Sequence, residues 1–491
     1  MSKDHVVGET RDQSILFPDT LDEYVTEENP VRFIDAFVDS LDLQQLGFKH
    51  AKLDGGAGRP PYDPSDLLKL YVYGYLNQVR SSRKLEKACV SNLEVIWLMK
   101  KLAPDFKTIS DFRKDNIDCV KPVFKEFVFL CKSLDLFGAE LIGIDGSKFK
   151  AVNSKDRNFN QKKLLASLKL INEKIERYLK EMEEADTSGG EEEEDDKLKN
   201  EKLREKIGKL EQKREEYLRI QNQMKEIGQK EISLTDPESR LMKVGVGHKL
   251  DVCCNVESSI DAKNHLAVEY DVTNSSNDQN ELSRVAKGTK ETLGVAKLDV
   301  TADRGFFDAD EIKDCIDNGI TPYIPEQSFV SGPAKNRGIP TPEFYKRKFV
   351  YDGEADAYTC PADHNLNFMY LMSDGKGKKV RVYGTRACKT CPFFLDRCTT
   401  NTDGRKIYRG MNEGVVEEMR RRIKADPSKL KIRKELCEHP FGTMKRAFNQ
   451  GYLLLKGLRK VTGEIGFTML AYDMRRAINI LGTKKLMASL R

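Results

Sequence analysis

Two short apolar segments, each running into an aspartate with a glycine close behind it, constrain the fold of this chain most. They contain Ile144-Asp145-Gly146 and Ala302-Asp303-Arg304-Gly305. Segments of this kind predict β-strands, and the strand, helix, strand order over residues 298–325 predicts parallel pairing in an α/β core. Ligands collect at strand ends in such sheets, so Asp145 and Asp303 are candidates for one site that binds divalent cations through oxygen. Taken singly, each aspartate equally suits a turn or a helix cap.

A third acidic residue, Glu438, lies in a basic stretch that is predicted to be helical. Between residues 428 and 460 there are nine Lys or Arg and two Glu, a net charge of +7. Glu438 and Lys445 are separated by two helical turns and therefore face the same side. A carboxylate among cations suits a site that binds both metal and DNA phosphate. The alternative is a solvated helix on which Glu438 pairs with Lys434 or Lys445.

In this order, these motifs resemble the DDE transposases of bacterial insertion sequences, in the branch with a Y-R-E-K signature around its glutamate. The resemblance covers nearly the whole chain and includes Gly58-Arg59-Pro60-Pro61-Tyr62 and Glu438-His439-Pro440-Phe441-Gly442. It implies an α/β fold with an RNase H-like catalytic core, a mixed sheet flanked by helices. It also implies that Asp145, Asp303 and Glu438 are the catalytic carboxylates.

The family's chemistry, carried over by this resemblance, is metal-dependent cleavage and joining of DNA strands. Asp145, Asp303 and Glu438 would bind two Mg²⁺ ions, with Mn²⁺ as a substitute, so that one ion activates water and the other stabilises the leaving oxygen. The expected partners are double-stranded DNA, as transposon ends and as target, and a second copy of the chain in a homodimer on paired ends. No membrane partner is expected.

The residues expected to bind phosphate belong to the same basic stretch. Lys445 matches the signature lysine, whereas Lys434, with Arg433 beside it, stands at the signature arginine and Lys431 at the signature tyrosine. Lysine cannot reproduce the two-pronged hydrogen bonding of arginine. The resulting candidates for DNA and phosphate binding are Lys431, Arg433, Lys434, Lys445 and Arg446.

Two other functions stay open on this sequence. A catalytically decayed or domesticated DNA-binding protein would keep the fold without the chemistry, and the substituted tyrosine and arginine positions favour it. An unrelated metal nuclease would hydrolyse DNA without strand transfer. The presence of all three carboxylates, with their neighbouring glycines and lysine, favours an active transposase.

The chain length of 491 residues predicts about two to four domains. Helices are predicted to begin at Asp63 and at Thr108, the second running towards Leu134, and a long amphipathic helix is predicted over residues 462–481. The predicted units are a helical N-terminal DNA-binding domain (1–137), the catalytic core (138–160 and 231–328), a charged helical hairpin (161–230) with a disordered acidic break at 188–196, a β-rich insertion (329–412) and the C-terminal helical part of the core (413–491).

Four cysteines in the β-rich insertion form a second candidate site. They are Cys360, Cys388, Cys391 and Cys398. The central pair has the Cys-x-x-Cys spacing of a zinc knuckle, which predicts a structural Zn²⁺ module with His364 as an alternative ligand. The other interpretation is four partly buried free thiols.

The remaining composition places the chain in a reducing compartment. The eleven cysteines are odd in number, which fits the cytosol better than a disulfide scaffold. No apolar run reaches the ~18 residues that a membrane span needs, and the first residues lack the apolar core of a signal peptide. The expected location is the cytoplasm, in association with the bacterial nucleoid. His248 is interpreted as structural, Asp278 as a turn residue, and Phe441 or Tyr452 as candidates for displacing a base from DNA.

Overall fold

The structure is a computed structural model of the chain. It describes residues 20–52, 60–153, 157–187, 193–226, 228, 231–244, 249–276, 278–326, 340–375 and 377–490. His248, for which a structural role is predicted, lies outside these ranges. Among the described helices, none has the length and apolar character required to cross a membrane.

The described N-terminal part is built of short helices. They are α1 (Pro30–Asp39), α2 (Pro64–Leu76), α3 (Ser82–Ser91), α4 (Leu93–Leu98), α5 (Phe106–Asp115) and α6 (Val120–Ser133). Asn29 and Asp63 start α1 and α2, since each side chain accepts a hydrogen bond from the backbone N–H two residues later and a proline follows directly. The helix start predicted at Asp63 is therefore confirmed.

The single helix predicted from Thr108 towards Leu134 is wrong. Asn116 divides it: its Nδ2 donates to the carbonyl oxygen of Phe112 at 3.0 Å, and its Oδ1 accepts from the backbone N–H of Lys49 at 2.7 Å. A 3₁₀ turn follows before α6 begins. A tertiary contact with a residue 67 positions away thus ends a helix that local sequence would continue.

A mixed sheet lies at the centre of the molecule. Its described strands are β1 (Leu141–Lys150), β4 (Arg240–Val244), β5 (Lys249–Asp261), β6 (Ala267–Thr273), β7 (Leu298–Ala302) and β8 (Ile320–Tyr323). Their order is β4-β5-β1-β7-β8, and β6 also pairs with β5. β1 runs antiparallel to β5 and parallel to β7, which is parallel to β8. The predicted parallel pairing is confirmed, and two helices accompany these strands, α9 (Leu282–Leu293) and α10 (Ala309–Asp317).

The prediction that the first strand ends at Asp145 is wrong. β1 continues to Lys150, because β5 pairs with it from Ile142 to Lys150. Its parallel neighbour β7 stops earlier, and the last paired residues of the two strands are Ile144 and Ala302. Asp145 therefore lies inside β1, directly after the point where β7 stops pairing with it.

A hairpin of two long helices is inserted after β1. Its helices are α7 (Gln161–Thr187) and α8 (Glu193–Glu226), which pack against each other, and the short antiparallel strands β2 (Asn158–Asn160) and β3 (Glu231–Ser233) close its base. Residues 193–196, predicted to belong to a disordered acidic break, are helical in α8. The part of that break at 188–192 lies outside the described residues.

A second sheet follows the core strands. It is antiparallel, in the order β13-β12-β11-β10-β9. Its strands are β9 (Val350–Asp352), β10 (Ala357–Thr359), β11 (Asn365–Ser373), β12 (Lys379–Gly384) and β13 (Ile407–Gly410). Its own small core contains Tyr358, Leu366 and Tyr383, and Cys360 and Cys398 pack against that core.

The C-terminal part is helical. It contains α11 (Glu413–Ala425), α12 (Ser428–Gly442), a π-helical turn (Thr443–Ala447), α13 (Leu458–Leu481) and α14 (Thr483–Ala488). The amphipathic character predicted for α13 is wrong, since every residue from Gly463 to Met474 is buried. The helix packs against α2 and α6 and also against β6. The apolar core is consequently continuous across residue 137, where the sequence predicts a domain boundary.

Candidate active site

The parallel pairing of β1 and β7 brings Asp145 and Asp303 together. Ile144 is opposite Ala302, and the next residue on each strand is an aspartate. β7 ends there, and the Asp303 Oδ1 accepts a hydrogen bond from the backbone N–H of Arg304 at 2.7 Å. Two carboxylates that are more than 150 positions apart in the sequence thus become neighbours at one edge of the sheet.

The surroundings of Asp145 disfavour its charged form. The pKa of Asp145 is raised to about 7, chiefly by burial and also by the charges of Asp303 and Asp278, while a backbone hydrogen bond at Gly146 and the cation of Arg433 act in the opposite direction. A half-buried carboxyl beside two other acids is a site where a cation would relieve electrostatic repulsion. Perturbed carboxyls of this kind cluster at functional sites.

Glu438 lies on α12, the helix that covers β1. The two elements are in close contact, because a Cβ on Gly143 would lie only 2.7 Å from the Leu436 Cβ, and the Cys437 thiol lies 3.6 Å from the carbonyl oxygen of Ile144. Glu438 follows directly and is exposed to solvent. Across the described ranges, no group of three or more His, Cys, Asp or Glu side chains is placed so that it could hold a metal ion. The structure therefore brings the two aspartates together. Glu438 lies on the helix that covers β1, but it does not form a metal-binding group with them.

Two of the predicted phosphate-binding residues contact the core strands. Arg433 forms an ion pair with Asp303, with 3.1 Å between Nη1 and Oδ1. The Lys445 Nζ donates to the Ser147 Oγ at 2.6 Å and to the carbonyl oxygen of Lys148 at 2.8 Å, and burial lowers the pKa of this lysine. The arginine that meets the aspartate is thus Arg433, one residue before the position expected from the signature. The other candidates, Lys431, Lys434 and Arg446, are exposed.

Asp278 is a residue of the site that the sequence did not reveal. It was predicted to be a turn residue, yet its Oδ1 accepts hydrogen bonds from the Lys148 Nζ and from the Asn255 Nδ2, both at 2.8 Å. Its other oxygen lies 3.2 Å from the position that a Cβ on Gly305 would occupy, so it rests against the turn of Asp303. No linear signal could identify it, because Lys148 is 130 positions away and only the sheet joins them.

The four predicted zinc ligands line one small cavity at the edge of the second sheet. Cys360, Cys388, Cys391 and Cys398 all contribute to its wall, together with His364 and Arg405. The backbone N–H of His364 donates to the Cys360 Sγ at 3.4 Å. The cavity gathers the four thiols from separate segments, but in the described chain they do not stand at the spacing of a formed metal centre.

The aromatic residues considered for base displacement differ in exposure. Phe441 is buried against Phe149, with ring centroids 6.1 Å apart, so it cannot reach a base from this position. Tyr452 is 49% exposed and lies under the guanidinium of Arg80 at 4.8 Å.

Comparison with known families matches both ends of the chain. A family model described as a transposase domain (DUF772) matches residues 19–115, and one described as a transposase DDE domain matches residues 359–478. The second match includes Glu438, Lys445 and the four cysteines. Together the two matches support a DDE transposase of insertion-sequence type.

Asp145 and Asp303 lie between the two matched segments, so their assignment rests on the geometry of the sheet. A search of curated proteins gave no match. A solved structure described as the cryo-EM structure of a piggyBac transposase synaptic complex with hairpin DNA aligns over 94% of this chain and 79% of its own, with a TM-score of 0.32 and 9% identity. A similarity this low does not identify the residues of the site.

Proposed function

We propose that this transposase binds the ends of an insertion sequence and catalyses divalent-metal-dependent DNA strand cleavage and strand transfer. The observation that carries the proposal is the pairing of Ile144 with Ala302, which sets Asp145 beside Asp303 under the helix of Glu438. We assign the RNase H-like fold to the central sheet, which is mixed and has helices on both faces. On one face Ser259 bonds to Thr289 of α9, and on the other Gly143 meets α12.

The donor set of this site fits hard divalent cations. Mg²⁺ prefers oxygen ligands, keeps several waters, and is usually held by one or two carboxylates together with substrate phosphates. Asp145 and Asp303 supply the adjacent carboxylates, and Glu438 would complete the set when DNA is bound. Two bound Mg²⁺ ions, or Mn²⁺ in their place, would supply activation of water and stabilisation of the leaving 3′ oxygen.

The protein's own residues would position these groups. Asp145, as its carboxylate, and Asp303 would hold the cation, and Arg433 would give up its ion pair with Asp303. Lys431, Lys434 and Arg446, which are exposed, would contact DNA phosphates. Lys445 would act mainly by holding the π-helical turn after α12 against β1, since its ammonium already bonds to Ser147. The work of these residues is charge neutralisation and orientation.

The proposed setting is a homodimer on paired double-stranded DNA ends, in the cytoplasm and in association with the nucleoid. The alternative, a catalytically decayed or domesticated DNA-binding protein of the same fold, is favoured by the lysines at the signature tyrosine and arginine positions. The ion pair of Arg433 with Asp303 weighs against it, because an arginine is present at the site although displaced in sequence.

The test is joining of a pre-cut DNA end, carrying a free 3′-OH, into plasmid DNA in the presence of Mg²⁺. The substrates to be tested are DNA ends taken from the sequence on either side of the coding region. Asp145→Asn should reduce cleavage and joining by at least ~10²–10³-fold, the scale of losing one group that stabilises developing charge, while end binding stays intact. Binding without joining by the unaltered protein would support the decayed protein, and hydrolysis without joining would support a metal nuclease.

We also propose that the cavity of Cys360, Cys388, Cys391 and Cys398 holds a structural Zn²⁺ ion. Four thiolates around Zn²⁺ leave a net negative charge, and Arg405 lies in the same cavity wall. The Arg405 Nε is buried and has no hydrogen-bond partner among the described residues. A buried guanidinium with an unsatisfied donor is costly unless an anion faces it. A zinc tetrathiolate would supply that anion, with a role in shaping the second sheet rather than in catalysis.

A further inference from the structure

The face of the central sheet opposite Glu438 carries a second cluster of polar side chains. On this face, Asn255 and Glu257 of β5 and Lys148 of β1 surround Asp278. Asp278 comes from the segment before α9 and reaches over the end of β1. The cluster lies directly behind Asp145, because Gly146, the next residue of β1, is opposite Glu257 in the sheet register.

The two oxygens of Asp278 have different surroundings. Oδ1 accepts two hydrogen bonds, from Lys148 and Asn255, each 2.8 Å long, which fix the carboxylate in place. Oδ2 has no hydrogen bond among the described residues and faces the backbone of Gly305, at 3.2 Å from the position of an added Cβ. The free oxygen is therefore directed at the turn that carries Asp303.

A second, independent observation points to a missing ligand. Glu257 is fully buried, and its Oε2 has no hydrogen-bond partner among the described residues. This oxygen lies 2.5 Å from the position of a Cβ on Gly146, so it is directed at the backbone next to Asp145. Asn255 Oδ1, on the same face of β5, is also buried and unsatisfied within the described ranges. Buried oxygens without donors indicate a water or ion at that place.

We infer that Asp278 is a positioning residue of the metal site, whose free oxygen accepts a hydrogen bond from water in the hydration shell of a cation held by Asp145 and Asp303. The inference rests on the proposed function and deepens it. Mg²⁺ retains most of its water, so carboxylates that bind those waters orient the ion as firmly as direct ligands do. Lys148 and Asn255 hold Asp278 in place.

The test is the Mn²⁺ dependence of two readouts, Mn²⁺ binding by calorimetry and cleavage of a transposon end. Asp278→Asn keeps the size of the side chain and an acceptor oxygen but removes the charge. It should raise the half-saturating Mn²⁺ concentration by ~10–100-fold in both readouts, the range found for outer-shell partners of metal ligands. End binding and the thermal midpoint of unfolding should stay unchanged.

The matched control is Asp299→Asn. Asp299 also pairs with a lysine, Lys429, but it lies at the start of β7, away from the Asp303 turn. This variant should leave the Mn²⁺ dependence unchanged. The double variant Lys148→Gln/Asp278→Asn should be no worse than Asp278→Asn, because Lys148 acts through Asp278.

The outcomes distinguish the role of Asp278 from the proposed function. If the unaltered protein binds Mn²⁺ and Asp278→Asn shows the same Mn²⁺ dependence, the role of Asp278 is refuted and the proposed function stands. If the unaltered protein neither binds Mn²⁺ nor cleaves DNA, the proposed function fails. An additive loss in the double variant would also contradict the inferred link between Lys148 and Asp278.

Discussion

Arg433 of α12 is ion-paired with Asp303 at the end of β7, with 3.1 Å between the two side chains. The guanidinium occupies the place where a divalent cation would neutralise the same carboxylate. We therefore predict that Arg433→Gln lowers the half-saturating Mn²⁺ concentration several-fold, because a competing cation is removed. The variant should also bind transposon ends more weakly, with the slope of log K against log salt smaller by about one.

The control for that prediction is Lys431→Gln. Lys431 is exposed on the same helix, so its loss should weaken DNA binding in the same salt-dependent way without changing the Mn²⁺ dependence. Calorimetry with Mn²⁺ and DNA-binding titrations at several salt concentrations supply both measurements. Equal Mn²⁺ dependence in Arg433→Gln and the unaltered protein would refute competition at Asp303.

Because α13 packs closely against the N-terminal helices, we predict that one added methyl group on α13 lowers the stability of the protein markedly. A Cβ on Gly463 would lie 2.4 Å from the Ile117 Cγ1 and 2.6 Å from its carbonyl oxygen. Gly463→Ala should destabilise the protein by ~1–3 kcal/mol, the cost of overpacking a core. Thermal unfolding measures it. Gly208→Ala, in α8 with no atom within 4 Å of the added Cβ, should instead be neutral or stabilising by up to ~1 kcal/mol.

The burial of Asp473 predicts that the stability of the protein depends on pH. This fully buried carboxyl accepts a hydrogen bond from the backbone N–H of Ala267 at 2.8 Å, and burial raises its pKa well above the ordinary aspartate value. The folded protein thus retains the proton longer than the unfolded chain, and the stability contributed by the neutral form is lost as pH rises through the raised pKa. Asp473→Asn removes that loss of stability, which amounts to ~1.4 kcal/mol for each unit by which the pKa is raised.

The measurement is the free energy of unfolding of Asp473→Asn and the unaltered protein at several pH values. The advantage of the variant should be small near the ordinary aspartate pKa and should grow as pH rises towards neutrality. A difference that is constant with pH, or one that shrinks as pH rises, would contradict a raised pKa for Asp473.

The zinc proposal predicts about one Zn²⁺ per purified chain by elemental analysis. Cys388→Ser should lose most of this zinc and lower the thermal midpoint, since structural zinc contributes folding energy. Cys119→Ser, outside the cavity, should retain the metal. Absence of zinc, with the four cavity thiols all freely titratable in the folded protein, would end the proposal.

The sequence by itself determined those features that depend on residues close together in the chain. The apolar segments before Asp145 and Asp303 predicted two strands, and the order of elements over residues 298–325 predicted that β7 and β8 are parallel, because hydrophobic periodicity and chain order are present in the sequence. The basic stretch around Glu438 and the Cys-x-x-Cys spacing marked both candidate sites for the same reason. These features required no knowledge of distant contacts.

Only the tertiary structure decided which residues meet. The sequence predicts only a turn at Asp278, because its partners Lys148 and Asn255 lie on β1 and β5, and Arg433 reaches Asp303 across 130 residues. The extent of α5 depends on Lys49, and the burial of α13 depends on packing between the N-terminal helices and the sheet. Such outcomes depend on side chains brought together by folding, and neither periodicity nor residue spacing encodes those distances.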